Sequence, residues 1–305
     1  MLWRAFAGFI ISTSIAVSVC DAQMATVQIR YPEGRKTVYK NSFSVRYLSD
    51  SADKLLTGRD AQGGVTIFTR GEWKSTEVGY TEVSDMEGPL KEGEQGVLAT
   101  LTESDNSLEF AGTRLAARQI PNPFTDLNDR QFAWRFNKKG ETLEFHPRFK
   151  TYELANRSMI TDVYQLWMPD FCPVYPEGEV QKGDKWSGEQ ILLDSENARV
   201  KIRSTYEVKK VSEKKGTVVV EFEEKRDVDY IYIINSGSLA VQVDGSGTGK
   251  GEWKIDATNG VVLKHKMVTR IDRPAVSKAG QPEPIPEVRA EVQINFQREL
   301  DAIEE

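Results

Sequence analysis

The sequence is short of the side chains that most often hold metals and disulfides, with two cysteines and two histidines in 305 residues. That count excludes a disulfide framework and a His/Cys metal cluster. A surplus of positive charge is missing too. Lys and Arg number 40 against 46 Asp and Glu, which gives a net charge of −6 and a pI of about 5.3. A general nucleic-acid binder would need a basic face instead. Beyond the N-terminus no stretch is apolar for the ~20 residues of a membrane helix. Phosphate loops are absent as well. Gly245, Gly247, Gly249 and Gly251 recur every second residue, and Lys250 is followed by glycine rather than Ser or Thr. They match neither the P-loop nor the dinucleotide fingerprint, and no Gly-x-Ser-x-Gly elbow occurs. What remains is an acidic, globular chain whose 39% apolar residues suffice for a sizeable core.

The N-terminus points to export. Arg4 precedes an apolar run from Ala5 to Val19, too short for a bilayer but right for a signal h-region. Cys20 and Ala22 fit the −3 and −1 positions of a cleavage site, so residues 1–22 read as a signal peptide. Loss of Arg4 and Asp21 leaves the net charge at −6. Cys20 is also a candidate for a lipid anchor, with Val17 and Ser18 suiting a lipoprotein box. Val19, however, stands where Gly, Ala or Ser is wanted, and cleavage after Ala22 is the preferred reading. Cys172 is then the one cysteine left, expected to be buried or incidental. The expected location is the periplasm or the extracellular space.

Strict alternation recurs along the rest of the chain. Val288, Ala290, Val292, Ile294 and Phe296 alternate with Arg289, Glu291, Gln293, Asn295 and Gln297. Period two places the first set on one strand face and the second in water. Val200, Ile202, Tyr206 and Val208 repeat the pattern, as do Leu239, Val241 and Val243, then Val27, Ile29 and Tyr31, then Phe43, Val45 and Tyr47. One polar face per strand implies antiparallel sheet. One helix is expected, where Met159, Ile160, Val163, Leu166 and Trp167 follow helical spacing until Pro169. A proline-rich linker is expected from Pro169 to Pro176, and a loop from Pro274 to Pro286.

The two sides of the linker resemble each other. Ser75, Thr76, Glu77 and Val78 match Ser204, Thr205, Glu207 and Val208, and Val97–Leu101 matches Val218–Phe222. Trp134, Phe136, Asn137, Gly140 and Leu143 match Trp253, Ile255, Asp256, Gly260 and Leu263. In each, Asn or Asp with a following glycine turns the chain between two strands. The expected fold is mainly β: an antiparallel sheet built from two repeated β-meanders, an open half-barrel or sandwich, with one short helix between them. The boundaries are 23–150 for the first repeat, 151–186 for helix and linker, and 187–305 for the second. The repeats can pack as one domain.

The segment Pro173, Val174, Tyr175, Pro176, Glu177 and Gly178, followed by Val180, Gly183, Asp184 and Trp186, resembles the mid-chain signature of a family of exported bacterial proteins of unknown function. Gly245–Gly251, then Trp253, Asp256 and Gly260, is similar to that family's second half. The likeness runs from Pro173 to about Leu263 and rests on turn residues rather than catalytic ones. The layout is also similar to the open half-barrels of bacterial lipoprotein and lipid carriers, a likeness of architecture alone.

Candidate chemistry is sparse. His265 shares a strand face with Leu263, Met267 and Ile271, so it points inward, either as a hydrogen-bonded core histidine or as a group orienting a ligand. His146 falls on a polar face with Glu144 and Arg148. Glu221, Glu223, Asp227 and Asp229 alternate around Lys225 on the face opposite Val218, Val220 and Phe222, which reads as a solvated face rather than a calcium or acid/base site. Asn156 heads a glycosylation sequon, relevant in a eukaryotic secretory host alone. The expected ligand-binding residues are His265, Trp134, Trp253, Tyr230 and Tyr232, with no catalytic residue, metal or cofactor assigned. The expected function is a non-enzymatic envelope protein binding a lipophilic molecule or a protein partner; an exported carboxylate-dependent hydrolase is the alternative. N-terminal sequencing of the protein exported from its host is expected to begin at Gln23, and a start at Met1 or at an acylated Cys20 would contradict the assigned cleavage.

Overall fold

The computed structural model describes residues 23–49, 65–81, 88–111, 128–147, 170–195, 198–236, 239–278 and 290–304. Eleven strands form a single antiparallel sheet. From one edge to the other these are β6 (Thr142–Pro147), β5 (Gln131–Phe136), β4 (Gln95–Ala111), β3 (Val65–Tyr80), β2 (Lys36–Ser49), β13 (Ala290–Glu304), β12 (Val261–Lys278), β11 (Leu239–Asp256), β10 (Thr217–Ser236), β9 (Ala198–Lys214) and β8 (Lys185–Ser195). A separate two-stranded sheet pairs β1 (Ala25–Thr26) with β7 (Glu179–Val180). The large sheet curls until its edges β6 and β8 approach each other without forming a ladder. The result is a barrel with one open seam.

Alternation sets which face is inside. In β10, Val220, Phe222, Glu224, Arg226 and Val228 are buried, while Glu221, Glu223, Lys225, Asp227 and Asp229 lie toward solvent. Val292, Ile294 and Phe296 of β13 and Val200, Ile202, Tyr206 and Val208 of β9 are buried as their period requires. The mainly-β, half-open architecture expected from the sequence is therefore what the chain adopts. The expected helix and the sequon at Asn156 lie outside the described residues, as does residues 1–22.

Three stretches depart from simple strand reading. Residues 27–31 keep their alternation, with Val27, Ile29 and Tyr31 buried, but only Ala25 and Thr26 pair. The segment crosses one end of the barrel as extended chain. The Arg30 N–H donates to the Gly260 carbonyl at 2.8 Å, and Gln95 bonds both the Tyr31 N–H and the Ile29 carbonyl at 3.0 Å. Those bonds replace a ladder. Pro274 is not the start of a loop, because β12 runs on to Lys278. The register against β11 shifts between Asp244 and Ser246 there, and a bulge is where a strand tolerates proline. The proline-rich segment is extended as expected, yet Phe171, Cys172, Pro173, Val174 and Tyr175 are all buried.

That buried segment straps the seam. Its Tyr175 N–H donates to the Lys139 carbonyl in the β5–β6 turn at 2.7 Å. On the other side, Trp186 Nε1 of β8 donates to the Val174 carbonyl at 2.7 Å, and the Val174 N–H donates to the Tyr206 hydroxyl of β9 at 3.2 Å. Trp134 and Trp253 each stand three residues before a turn, at Asn137 and Asp256, on the same end of the barrel. The ladders beneath them differ: Trp134 pairs with Val97, whereas Trp253 pairs with Phe222. The sequence match that sets Val97 against Val218 is thus four positions out of register with the hairpins.

Gly140, in the β5–β6 turn, has φ of 79°, and an added Cβ would sit 2.3 Å from the Pro173 carbonyl oxygen. Gly140→Ala is expected to destabilise the protein by more than about 1 kcal/mol, since both backbone strain and the strap oppose it. Urea denaturation checks this.

Candidate functional site

The barrel interior carries a belt of polar side chains where period two would put apolar ones. On β10, Glu224 pairs across to Tyr206 and Gly251, and Arg226 to Ser204 and Gly249. The glycines make the room. A Cβ at Gly249 would lie 2.5 Å from the Arg226 Cγ, and one at Gly251 would lie 2.4 Å from the Met267 Cε. The period-two glycines of β11 therefore serve the side chains of β10 and β12 rather than a phosphate.

Asp170 enters this belt from the strap segment. Its Oδ1 accepts from Arg226 Nη2 at 2.9 Å and from His265 Nε2 at 3.0 Å. Arg226 also meets Glu224 Oε1 at 2.9 Å, and Ser204 Oγ donates to that oxygen at 2.7 Å. Trp253 Nε1 donates to Glu224 Oε2 at 2.7 Å. The His265 ring stacks on Trp253 with centroids 3.6 Å apart, and its Nδ1 faces the Glu252 carbonyl at 3.1 Å. Both ring nitrogens thus face oxygens, the Glu252 carbonyl and the Asp170 carboxylate, that only accept. The Asp170 and Glu224 carboxylates share the Arg226 guanidinium inside the barrel.

A second cluster continues the belt. His265 pairs with Arg298 of β13, and Arg298 with Asn41 of β2. Arg298 is fully buried, ion-pairs with Glu77 of β3, and lies over the Tyr39 ring at 3.6 Å and the Phe171 ring at 5.1 Å. Glu77 also accepts from the Tyr31 hydroxyl at 3.0 Å and from Ser75 Oγ at 3.2 Å. Breaking a buried pair by deleting one partner costs about 3–5 kcal/mol, so the belt tolerates little change. The void bounded by Asp170, Arg226, Thr269 and Phe296 measures about 10 Å³, roughly the space of one water. The belt is a packed floor.

Of the five residues singled out from the sequence, the structure brings two together, His265 and Trp253. Trp134 is buried elsewhere, with its ring 5.4 Å from that of Phe171. Tyr230 pairs with Val200 and Gly245, and Tyr232 with Ala198 and Val243, but their side chains lie outside the description, as does that of His146. Sequence reading missed Asp170, Glu224, Arg226, Arg298 and Glu77. The signal was present for three of them: Glu224 and Arg226 hold the inward phase of Phe222 and Val228, and Arg298 holds that of Phe296. The solvated reading of Glu221, Glu223, Asp227 and Asp229 agrees with their exposure. Among the described residues no group of three His, Cys, Asp or Glu is placed to hold a metal ion, and no helix is long and apolar enough to cross a membrane.

Residues 150–262 match the model of a family described as of unknown function, DUF6263. This overlaps the Pro173–Leu263 segment on which the sequence resemblance rests. No curated protein matches the chain. Solved structures that the chain matches at 9% identity include the following three. Lipovitellin, in a structure concerned with lipid–protein interactions, covers 90% of this chain at a TM-score of 0.47, and the chain spans 26% of lipovitellin's length. A Bacteroides fragilis protein described as exported, with a YmcC-like fold, covers 92% of this chain and is itself covered in full, at a TM-score of 0.25. The β domain of the Bordetella autotransporter BrkA covers 87% and is covered over 98%, also at 0.25. At these scores none carries an argument, and the fold rests on the strand order above.

Burial makes the interior intolerant of alkali. It pushes the Cys172 thiol, bonded to the Tyr175 hydroxyl at 2.9 Å, up to about 12, and the Tyr39 hydroxyl to about 12 despite the opposing pull of Arg298. Both groups are neutral when protonated, and folding raises both values. Their contribution is fully present below the unfolded values of 9.0 and 10.0 and is lost as pH rises toward about 12. The native protein at pH 8 is expected to leave Cys172 unlabelled by a thiol reagent. Labelling should appear together with loss of the β circular-dichroism signal between about pH 10 and 12.

Proposed function

We propose that this is an exported, non-enzymatic envelope protein whose curled sheet holds a lipophilic ligand beyond the polar belt. The observation that carries this reading is the closed floor at mid-barrel, with long strands continuing past it. From Arg226 to Ser236, β10 extends for about 33 Å at ~3.3 Å per residue. The described inward side chains one row past Arg226 are Ile202, Val228, Ile271 and Val292, all buried and all apolar. Tyr230, Tyr232 and Ile234 continue the phase of Val228, opposite Gly245, Val243 and Val241. An apolar wall above a buried polar floor suits a ligand that is mostly hydrocarbon with one polar end.

In this reading Tyr230 and Tyr232 line the ligand site, while Trp253, His265 and Trp134 belong to the packed floor and wall beneath it. Of the four described buried carboxylates, Asp170, Glu224 and Glu77 are each engaged by a cation and Asp256 accepts twice from Asn259 in its turn, which favours the binder over a carboxylate-dependent hydrolase. Native mass spectrometry of freshly purified protein is expected to show a co-purifying lipophilic mass. Tyr232→Glu should abolish it, because a carboxylate on an apolar wall is costly to bury. His265→Gln should lower the melting temperature yet leave the ligand bound. Protein that is free of ligand when isolated gently from its host would overturn the proposal.

A further inference from the structure

We propose that the outer face of the barrel carries a separate binding site, a trough over β2 and β13 that takes a neutral oligosaccharide. The trough encloses about 650 Å³. Its floor is set by register: Ser42 pairs with Gln297 and Ser44 with Asn295. Both serines have long neighbours on the far side, Glu72 and Arg70 of β3, while Lys266 and Val268 of β12 flank the amides. Short side chains between taller rows make a channel running along the strands.

The floor differs in chemistry from the strands that carry the outer ion pairs. Nearby strands carry ion pairs on the outer surface, with Lys254–Glu221 at 3.2 Å, Lys209–Glu223 at 3.3 Å and Lys264–Glu299 at 3.5 Å. The trough floor is uncharged, and its groups are pre-oriented. Asn295 Nδ2 donates to Ser44 Oγ at 2.8 Å, and Gln293 Nε2 to Asn295 Oδ1 at 3.2 Å. On the rim, Arg70 Nε donates to Ser107 Oγ at 2.9 Å.

Each of the other ligand classes meets a specific obstacle. An anionic chain would run against Glu72 and Asp105, and a cationic one against Arg70 and Lys266. An apolar ligand would strip water from the serine hydroxyls and the amides with nothing returned. A polypeptide strand cannot add here, because β2 and β13 are already paired on both sides. A sugar chain presents neutral hydroxyls at its ring edges and C–H groups on its ring faces. The hydroxyls match the Ser, Asn and Gln floor. The C–H faces match Val268, 40% exposed, and half-buried Phe68 on the opposing walls.

The test is native gel electrophoresis of the full protein through dextran, soluble starch or galactomannan, followed by calorimetry with oligosaccharides cut from whichever polymer retards it. At least one neutral polymer should retard the protein, and 0.5 M NaCl should not weaken the effect, because screening acts on charges and the floor has none. Asn295→Ala combined with Gln297→Ala should reduce affinity at least tenfold with an unchanged melting temperature. Ser44→Trp, which fills the floor, should abolish retardation, and Lys254→Ala, outside the trough, should leave it intact. Retardation by none of the three polymers, or retardation that survives the floor substitutions, would overturn the proposal. So would a dimer in light scattering that Ser44→Trp breaks, since the trough would then be covered by a second copy. The interior ligand is not involved in any of these readouts.

Discussion

One carboxylate oxygen organises the interior. Asp170 Oδ1 accepts from Arg226 on β10 and from His265 on β12, with β11 between them. A carboxylate so placed must be bonded, because an unpaired charge at that depth is far costlier than any packing gain nearby. Its position fixes where the strap enters the barrel, and Phe171, the next residue, then lies against Trp134, Phe296 and Arg298. The two polar clusters and the aromatic core are thereby joined through two consecutive residues of a segment that is itself in no strand of the large sheet.

The strap and the N-terminal segment do together what a further strand would have done. Curling eleven strands leaves two edges, and open edges pair with other chains unless covered. Here the strap bonds the β5–β6 turn on one side and β8 and β9 on the other, while residues 25–31 cross from β4 to the β11–β12 turn. The two segments join through β1 and β7 and through the Tyr175 hydroxyl, which donates to the Ile29 carbonyl at 3.4 Å. The barrel end is closed by side chains and crossing chain instead of by a ladder.

Much of this fold was legible from alternation, since burial follows period two from β9 to β13. What alternation could not convey was charge on the inward phase. Glu224 and Arg226 look like members of the charged run Glu223–Asp229, and only the ladder to Gly249 and Gly251 shows that they have room inside. His265 was placed inward correctly, but Asp170 is 95 residues away, and no local pattern links them. Proline and glycine marked the segment from Pro173 to Gly178 as irregular, yet irregular chain is found on the surface or, as here, in the interior when its carbonyls and N–H groups find partners. The expected match of the two halves sets Asn137 against Asp256, and both turn the chain between strands. It lost register in the strands between, because β-sheet tolerates a slide of an even number of residues without changing which face is buried.

The position of β13 bears on when the sheet can close. It lies between β2 and β12, so the last of the described strands joins one of the earliest of them to the one that precedes it in the chain. Until β13 emerges, the inward rows of β2 and β12 end at bare edges, and the guanidinium of Arg298 is missing from beside Glu77. Pairings of such high sequence separation form slowly and leave intermediates prone to aggregate. A chain delivered unfolded and whole to its compartment avoids most of that interval, whereas one folding as it is synthesised would spend it with half a barrel.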